Sequence, residues 1–95
     1  MMSGKEVFEQ IRDLIVAVKS TTAPVSADDI TEDSVFEQPP LAMDSLDFAQ
    51  FVVGIEETFG LIAYDSDFLR LATVRDAVEL VEEFLSQPSA RGHFA

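Results

Sequence analysis

Apolar residues recur at Val7, Ile11, Leu14, Ile15 and Val18, with polar and charged positions between them. That spacing puts one apolar stripe on a helix running from near Gly4 to near Ser20, and Thr21-Thr22-Ala23-Pro24 stops it. A second helix runs from Ser45 to about Phe59 and ends at Gly60, a residue suited to the left-handed position past a helix end. The last begins at Thr73, whose spacing from Asp76 has the form of a capping box. It buries Val74, Ala77, Val78, Val81, Phe84 and Leu85 and stops at Ser86-Gln87-Pro88. A short helical turn fits Asp65 to Arg70. Between the first two helices, Thr21 to Asp44 shows no period, and so long a connection in a small domain is structured or functional. Val25, Ile30, Val35, Phe36 and Leu41 can pin it to the core, and Ser26 with Asp29 can cap a short turn. The expected fold is all-α: a small antiparallel bundle of three main helices plus a short additional helix, with a long first loop. Residues 1–88 form its single domain and 89–95 a flexible tail.

The second helix departs from a single stripe. Leu46, Phe48, Ala49, Phe51, Val52, Val53, Ile55 and Phe59 wrap nearly all round its axis. Such a helix is sandwiched between neighbours, or part of it meets a ligand or partner. Sandwiching is the expectation for most of these residues. Phe48, three residues after Ser45, is expected to be exposed beside it.

Composition narrows what the bundle can do. Ninety-five residues with 47% apolar content make one packed domain rather than a disordered acidic tail. The absence of cysteine excludes disulfides, cysteine metal sites and a protein thiol nucleophile, so any thiol chemistry must come from an attached group. No apolar run is long enough to span a membrane and the start lacks a signal-peptide pattern, which makes the cytoplasm the default compartment. Six basic residues stand against eighteen acidic, a net charge of −12. Between Lys19 and Arg70 there is no cation, but eleven acids: Asp28, Asp29, Glu32, Asp33, Glu37, Asp44, Asp47, Glu56, Glu57, Asp65 and Asp67. Nucleic-acid binding is excluded by that surface. These acids are expected to stand unpaired and to steer basic partners by long-range attraction, at a cost in self-repulsion. They lack the loop glycine and terminal glutamate of a calcium site, so no metal site is expected.

The chemistry centres on Leu41-Ala42-Met43-Asp44-Ser45-Leu46-Asp47. Asp44 can cap the first turn of the second helix, leaving the Ser45 hydroxyl near the positive end of the helix dipole. A phosphate ester suits that position, because backbone donors and the dipole both favour an anion. As a hydrolytic nucleophile Ser45 would need a base, and the sole histidine, His93, lies in the tail with nothing to position it.

Asp44-Ser45-Leu46, followed at fixed spacing by Glu56-Glu57-x-Phe59-Gly60-Leu61, resembles the acyl carrier protein family. Upstream, Ile30-Thr31-x-Asp33-x-x-Phe36 looks like the approach to that family's modified serine. Downstream, Thr73-Val74-Arg75-Asp76-Ala77-Val78 looks like the start of its last helix, so the resemblance covers roughly residues 5 to 85. It implies that Ser45, flanked by Asp44 and Leu46, receives 4′-phosphopantetheine from coenzyme A through a phosphopantetheinyl transferase. The arm would hold an acyl chain as a thioester and present it to acyl-transferring or condensing enzymes of fatty-acid, lipid or related biosynthesis. The carrier itself, a monomer, would perform no turnover chemistry. By the same resemblance Asp44, Asp47, Glu56 and Glu57 would meet basic docking patches on those partners, while Phe48, expected beside Ser45 from its spacing, would add an aromatic docking anchor for a dedicated partner. Phe36, Val52, Ile55, Phe59, Ala63, Leu71 and Ala77 would line a pocket for the acyl chain.

Some positions depart from the family pattern. Ala42 stands where glycine is usual, Pro39-Pro40 adds a residue before Leu41, Gln50 replaces an acid, Phe48 replaces a smaller polar residue, and Ala63-Tyr64 stands for Ile-Pro. These changes point to a specialised carrier serving a dedicated pathway. The competing readings are a peptidyl or aminoacyl carrier protein and an unmodified acidic helical adaptor.

Overall fold

A computed structural model describes residues 3–62, 65–68 and 70–86. The expected tail with His93, and Ala63 of the expected pocket, lie outside the described residues. Three long helices carry the fold: α1 (Gly4–Lys19), α2 (Ser45–Phe59) and α4 (Val74–Leu85). The short additional helix is a single turn, α3 (Asp65–Phe68), and a 3-10 turn, Ala27–Asp29, falls within the long first loop. Among the described residues there is no strand beyond an isolated bridge between Val35 and Thr73.

Each long helix starts on a reciprocal cap. Ser3 with Glu6, Asp44 with Asp47 and Thr73 with Asp76 form capping boxes, which satisfy backbone donors that a helix start leaves orphaned. The end of α2 is Gly60 at φ 66°, a left-handed conformation that glycine adopts without steric cost. Ser26 caps the 3-10 turn through the N–H of Asp28.

Helix α1 packs on both α2 and α4. It buries Val7, Ile11 and Ile15 against Phe51, Ile55 and Phe59 of α2 and Val74, Ala77, Val78 and Val81 of α4. Where α1 meets α2, a Cβ on Gly54 would come within 2.9 Å of a Leu14 methyl, so glycine allows the close approach. At the other end of α1, Gly4 lies beneath the Glu82 carboxylate of α4, and a Cβ there would come within 2.8 Å of it.

The long loop is fastened as its apolar residues predict: Ile30, Phe36 and Leu41 are buried and Val25 and Val35 are half-buried. Backbone bonds hold it to the start of α4, to the residues just before it and to its own return, with Val74 N–H donating to Ser34 O, Phe36 N–H to Ala72 O and Met43 N–H to Phe36 O. Arg75 adds ion pairs to Glu32 and Asp33 across the same junction.

Three expectations are corrected here. Phe48 is half-buried rather than exposed, because its ring packs against Phe36 and Phe51. The wrap of apolar residues on α2 is only partly sandwiched: Phe51, Ile55 and Phe59 are buried, but Leu46 (66% exposed), Ala49 and Val53 (51% exposed) form a stripe facing solvent. The acids of the middle segment are not all unpaired, since Lys19, Arg70 and Arg75 reach Asp47, Asp67, Glu32 and Asp33.

Candidate functional site

Ser45 is the first residue of α2, and its side chain is exposed. The cap is made by its neighbour: Asp44 Oδ1 accepts the Asp47 N–H at 2.7 Å, and Asp47 Oδ2 accepts the Asp44 N–H at 3.3 Å. The serine hydroxyl is thereby relieved of capping and stands at the positive end of a fifteen-residue helix.

Beneath this start lies a buried ion pair. Lys19, last residue of α1, is 3% exposed and Asp47 is 5% exposed. Lys19 Nζ donates to Asp47 Oδ2 at 3.1 Å and reaches Ala42 O at 3.5 Å. The Lys19 hydrogen bond holds the Asp47 carboxyl below the usual carboxylate range; burial opposes it, and the Asp44 N–H adds to the lowering. The lysine also suits its place at a helix C-terminus. Asp47 was expected among the docking acids. Its carboxylate is instead turned inward and bound, so a partner's cations would not meet it at the surface.

Ala42 has a φ of 41°, in the left-handed region that glycine enters without the steric cost a Cβ brings. Its N–H donates to Gln38 O at 2.8 Å and its carbonyl faces Lys19.

A cavity of about 520 Å³ opens beside the serine. Its lining includes Ser45, Asp44, Phe36, Phe48, Phe68 and Leu71, with Val35, Glu37, Met43 and Ala72 completing it. Of the pocket residues expected from the sequence, Phe36 and Leu71 line this cavity. Ile55, Phe59 and Ala77 are buried core and Val52 is half-buried, away from its wall. The docking expectations divide similarly: Asp44 and Glu57 are exposed, Glu56 is half-buried and Leu46 stands out beside them.

Two residues of this region were not anticipated. Phe68 faces the cavity from α3, too short an element to give a periodic signal. Lys19 did carry one: it continues the Val7, Ile11, Ile15 ladder at the next fourth residue, and Asp47 begins the matching ladder of Phe51, Ile55 and Phe59.

Residues 12–81 match the protein family described as "Phosphopantetheine attachment site". The chain is also 38% identical over 81 residues to an acyl carrier protein of Lactobacillus johnsonii, an alignment covering 85% of this chain and 95% of the relative. The helical fold, the capped Asp-Ser-Leu turn and these two matches agree: the chain belongs to the acyl carrier protein family. It is therefore a carrier and not an enzyme, with 4′-phosphopantetheine as its covalent cofactor. Its work is done with a phosphopantetheinyl transferase and acyl-handling enzymes.

Proposed function

We propose that Ser45 is the attachment point of the 4′-phosphopantetheine arm and that the adjoining cavity receives the cargo it carries. The observation that carries this reading is an exposed serine hydroxyl at the first position of α2, on the rim of a largely apolar cavity. The donor set fits the group: a phosphodiester on Ser45 would meet the helix dipole, while Asp44 already occupies the cap. When bound, the arm supplies a terminal thiol, which this cysteine-free chain lacks, for thioester linkage of an acyl group.

The protein's own residues would then shelter and present. Phe36, Phe48, Phe68 and Met43 give apolar contact to a hydrocarbon folded back along the arm, withdrawing it from water. Asp44, Glu56 and Glu57, with the exposed stripe of Leu46, Ala49 and Val53, form the docking face. Acids there raise encounter rates with basic partners, and the apolar stripe supplies contact area once they meet. We read the three long helices as an antiparallel bundle whose α2 presents this face, serving fatty-acid, lipid or related biosynthesis in the cytoplasm. The aromatic wall and Gln50 favour a dedicated pathway.

Incubation with coenzyme A and a broad-specificity phosphopantetheinyl transferase should add one phosphopantetheine mass to the wild type and none to Ser45→Ala. Equal labelling of the alanine variant would overturn the assignment. Mass spectrometry of the protein from its native host would identify the cargo.

A further inference from the structure

We propose that Lys19 is a positioning residue for the loading of Ser45, acting through the Ala42–Asp44 turn; the inference rests on the reading of Ser45 as the attachment point. In loading, Ser45 Oγ forms a bond to the coenzyme A phosphorus that bears the pantetheine arm. The bond to the other phosphate breaks, the adenosine bisphosphate half leaves with its electron pair, and the serine proton passes to the transferase or to water. Such a step depends on where the hydroxyl points.

That direction is fixed by the turn preceding α2, and a single ammonium touches both of its sides. Lys19 Nζ bonds Asp47 Oδ2 at 3.1 Å and reaches Ala42 O at 3.5 Å. The same Asp47 oxygen accepts the Asp44 N–H at 3.3 Å. Ala42, exposed between the buried Leu41 and Met43, lies at φ 41° in a backbone region that disfavours alanine, and the Lys19 contact to its carbonyl adds to the backbone bonds that hold the turn there.

Stability alone does not explain the pair. Lys19 occupies the next step of the Val7, Ile11, Ile15 stripe, and Asp47 heads the stripe of Phe51, Ile55 and Phe59, where apolar residues would continue both faces. Replacing a buried ion pair by apolar residues of similar size is often neutral or stabilising. What an apolar pair cannot do is bond the Ala42 carbonyl and the Asp44 N–H. At 3% exposure, Lys19 is also out of a transferase's reach. Its influence on loading must pass through the placement of the Ala42–Asp44 turn and Ser45, leaving Glu56, Glu57 and Leu46 to dock as before.

The test is steady-state transfer from coenzyme A with the apo-protein as variable substrate, comparing wild type, Lys19→Met and Lys19→Met/Asp47→Leu, with helical circular dichroism confirming folding. Both variants should lose about tenfold to a hundredfold in kcat, the scale of an ångström misplacement, with KM within about twofold of wild type. If Lys19→Met does not fold, the double variant, whose buried charges are both removed, decides alone. Wild-type kcat in the double variant would overturn the inference and leave Lys19 a stabilising residue only. A loss confined to KM would also overturn it, by placing the effect in docking. Wild-type protein that takes no label would instead sink the reading of Ser45 itself.

Discussion

The ring of Phe48 meets that of Phe36 edge-on, with centroids 5.5 Å apart and planes inclined by 70°. Phe51 lies at 5.2 Å from Phe36 and 6.0 Å from Phe48, so three aromatic rings from α2 and the long loop close on one another beneath Ser45. An aromatic residue in the first turn of α2 thus serves as cavity wall and as packing, where a purely exposed one would serve only as a contact.

Phe48→Ala should therefore lower folding stability by about 2 kcal/mol, less than a fully buried phenylalanine loses, because the ring is only half covered. Phe48→Leu should cost less. Urea denaturation of the three proteins checks the order; an alanine variant as stable as wild type would mean that the rings do not pack.

Ala42 offers the opposite sign. At φ 41° an alanine pays a steric penalty that glycine avoids, although glycine gains freedom in the unfolded chain. Ala42→Gly should raise stability by less than about 1 kcal/mol, and Ala42→Val should lower it, β-branching being least tolerated there. The melting order Gly, Ala, Val checks this; the reverse order would mean the turn is not left-handed in solution.

Acid should unfold the protein through identifiable carboxylates. Asp47 is held below the usual carboxylate range first by its hydrogen bond from Lys19, and Asp76 first by the N–H groups of Ala72 and Thr73. A carboxyl with a lowered folded value contributes stability that is present above its unfolded value and is lost as pH falls through the folded one. Unfolding free energy should thus decline below about pH 4. Asp76→Asn should flatten that decline, in urea titrations carried from about pH 5 to about pH 2.

Salt should act in the other direction. The net charge is −12, and the pairs of Arg75 and Arg70 are largely exposed and contribute little each. Raising ionic strength from about 0.01 M to about 1 M shortens the screening length from about 30 Å to about 3 Å. The melting temperature should rise, because relief of repulsion outweighs the weakened surface pairs. A temperature independent of salt would mean that the repulsion is negligible.

Periodicity made the helices legible. The Val7, Ile11, Ile15 stripe, the Thr73–Asp76 cap and Gly60 mark elements that depend on neighbours in sequence, and these stand close to where spacing puts them. The place of Ser45 at the start of α2 was legible for the same reason, since Asp44 caps a local turn. What spacing could not supply was the pairing of distant residues. Spacing alone makes Phe48 look exposed because its partner Phe36 lies on an aperiodic loop, and makes Asp47 look like a surface acid because Lys19 lies twenty-eight residues away. Lys19 and Asp47 each extend an apolar ladder by one charged step. Opposite charges ending two such ladders were the available sign that the ladders meet.

The contact between Gly4 and Glu82 sets a direction for the whole molecule. Lys19, at the far end of α1, lies about 22 Å away at the helical rise of 1.5 Å per residue, beside the turn that leads to Ser45. The start of α1 and the last turns of α4 therefore share one pole and the serine occupies the other. A carrier tethered to a surface, or to a neighbouring protein, through the Ser3 end of α1 would hold its loading pole outward, with the arm sweeping the space away from the anchor.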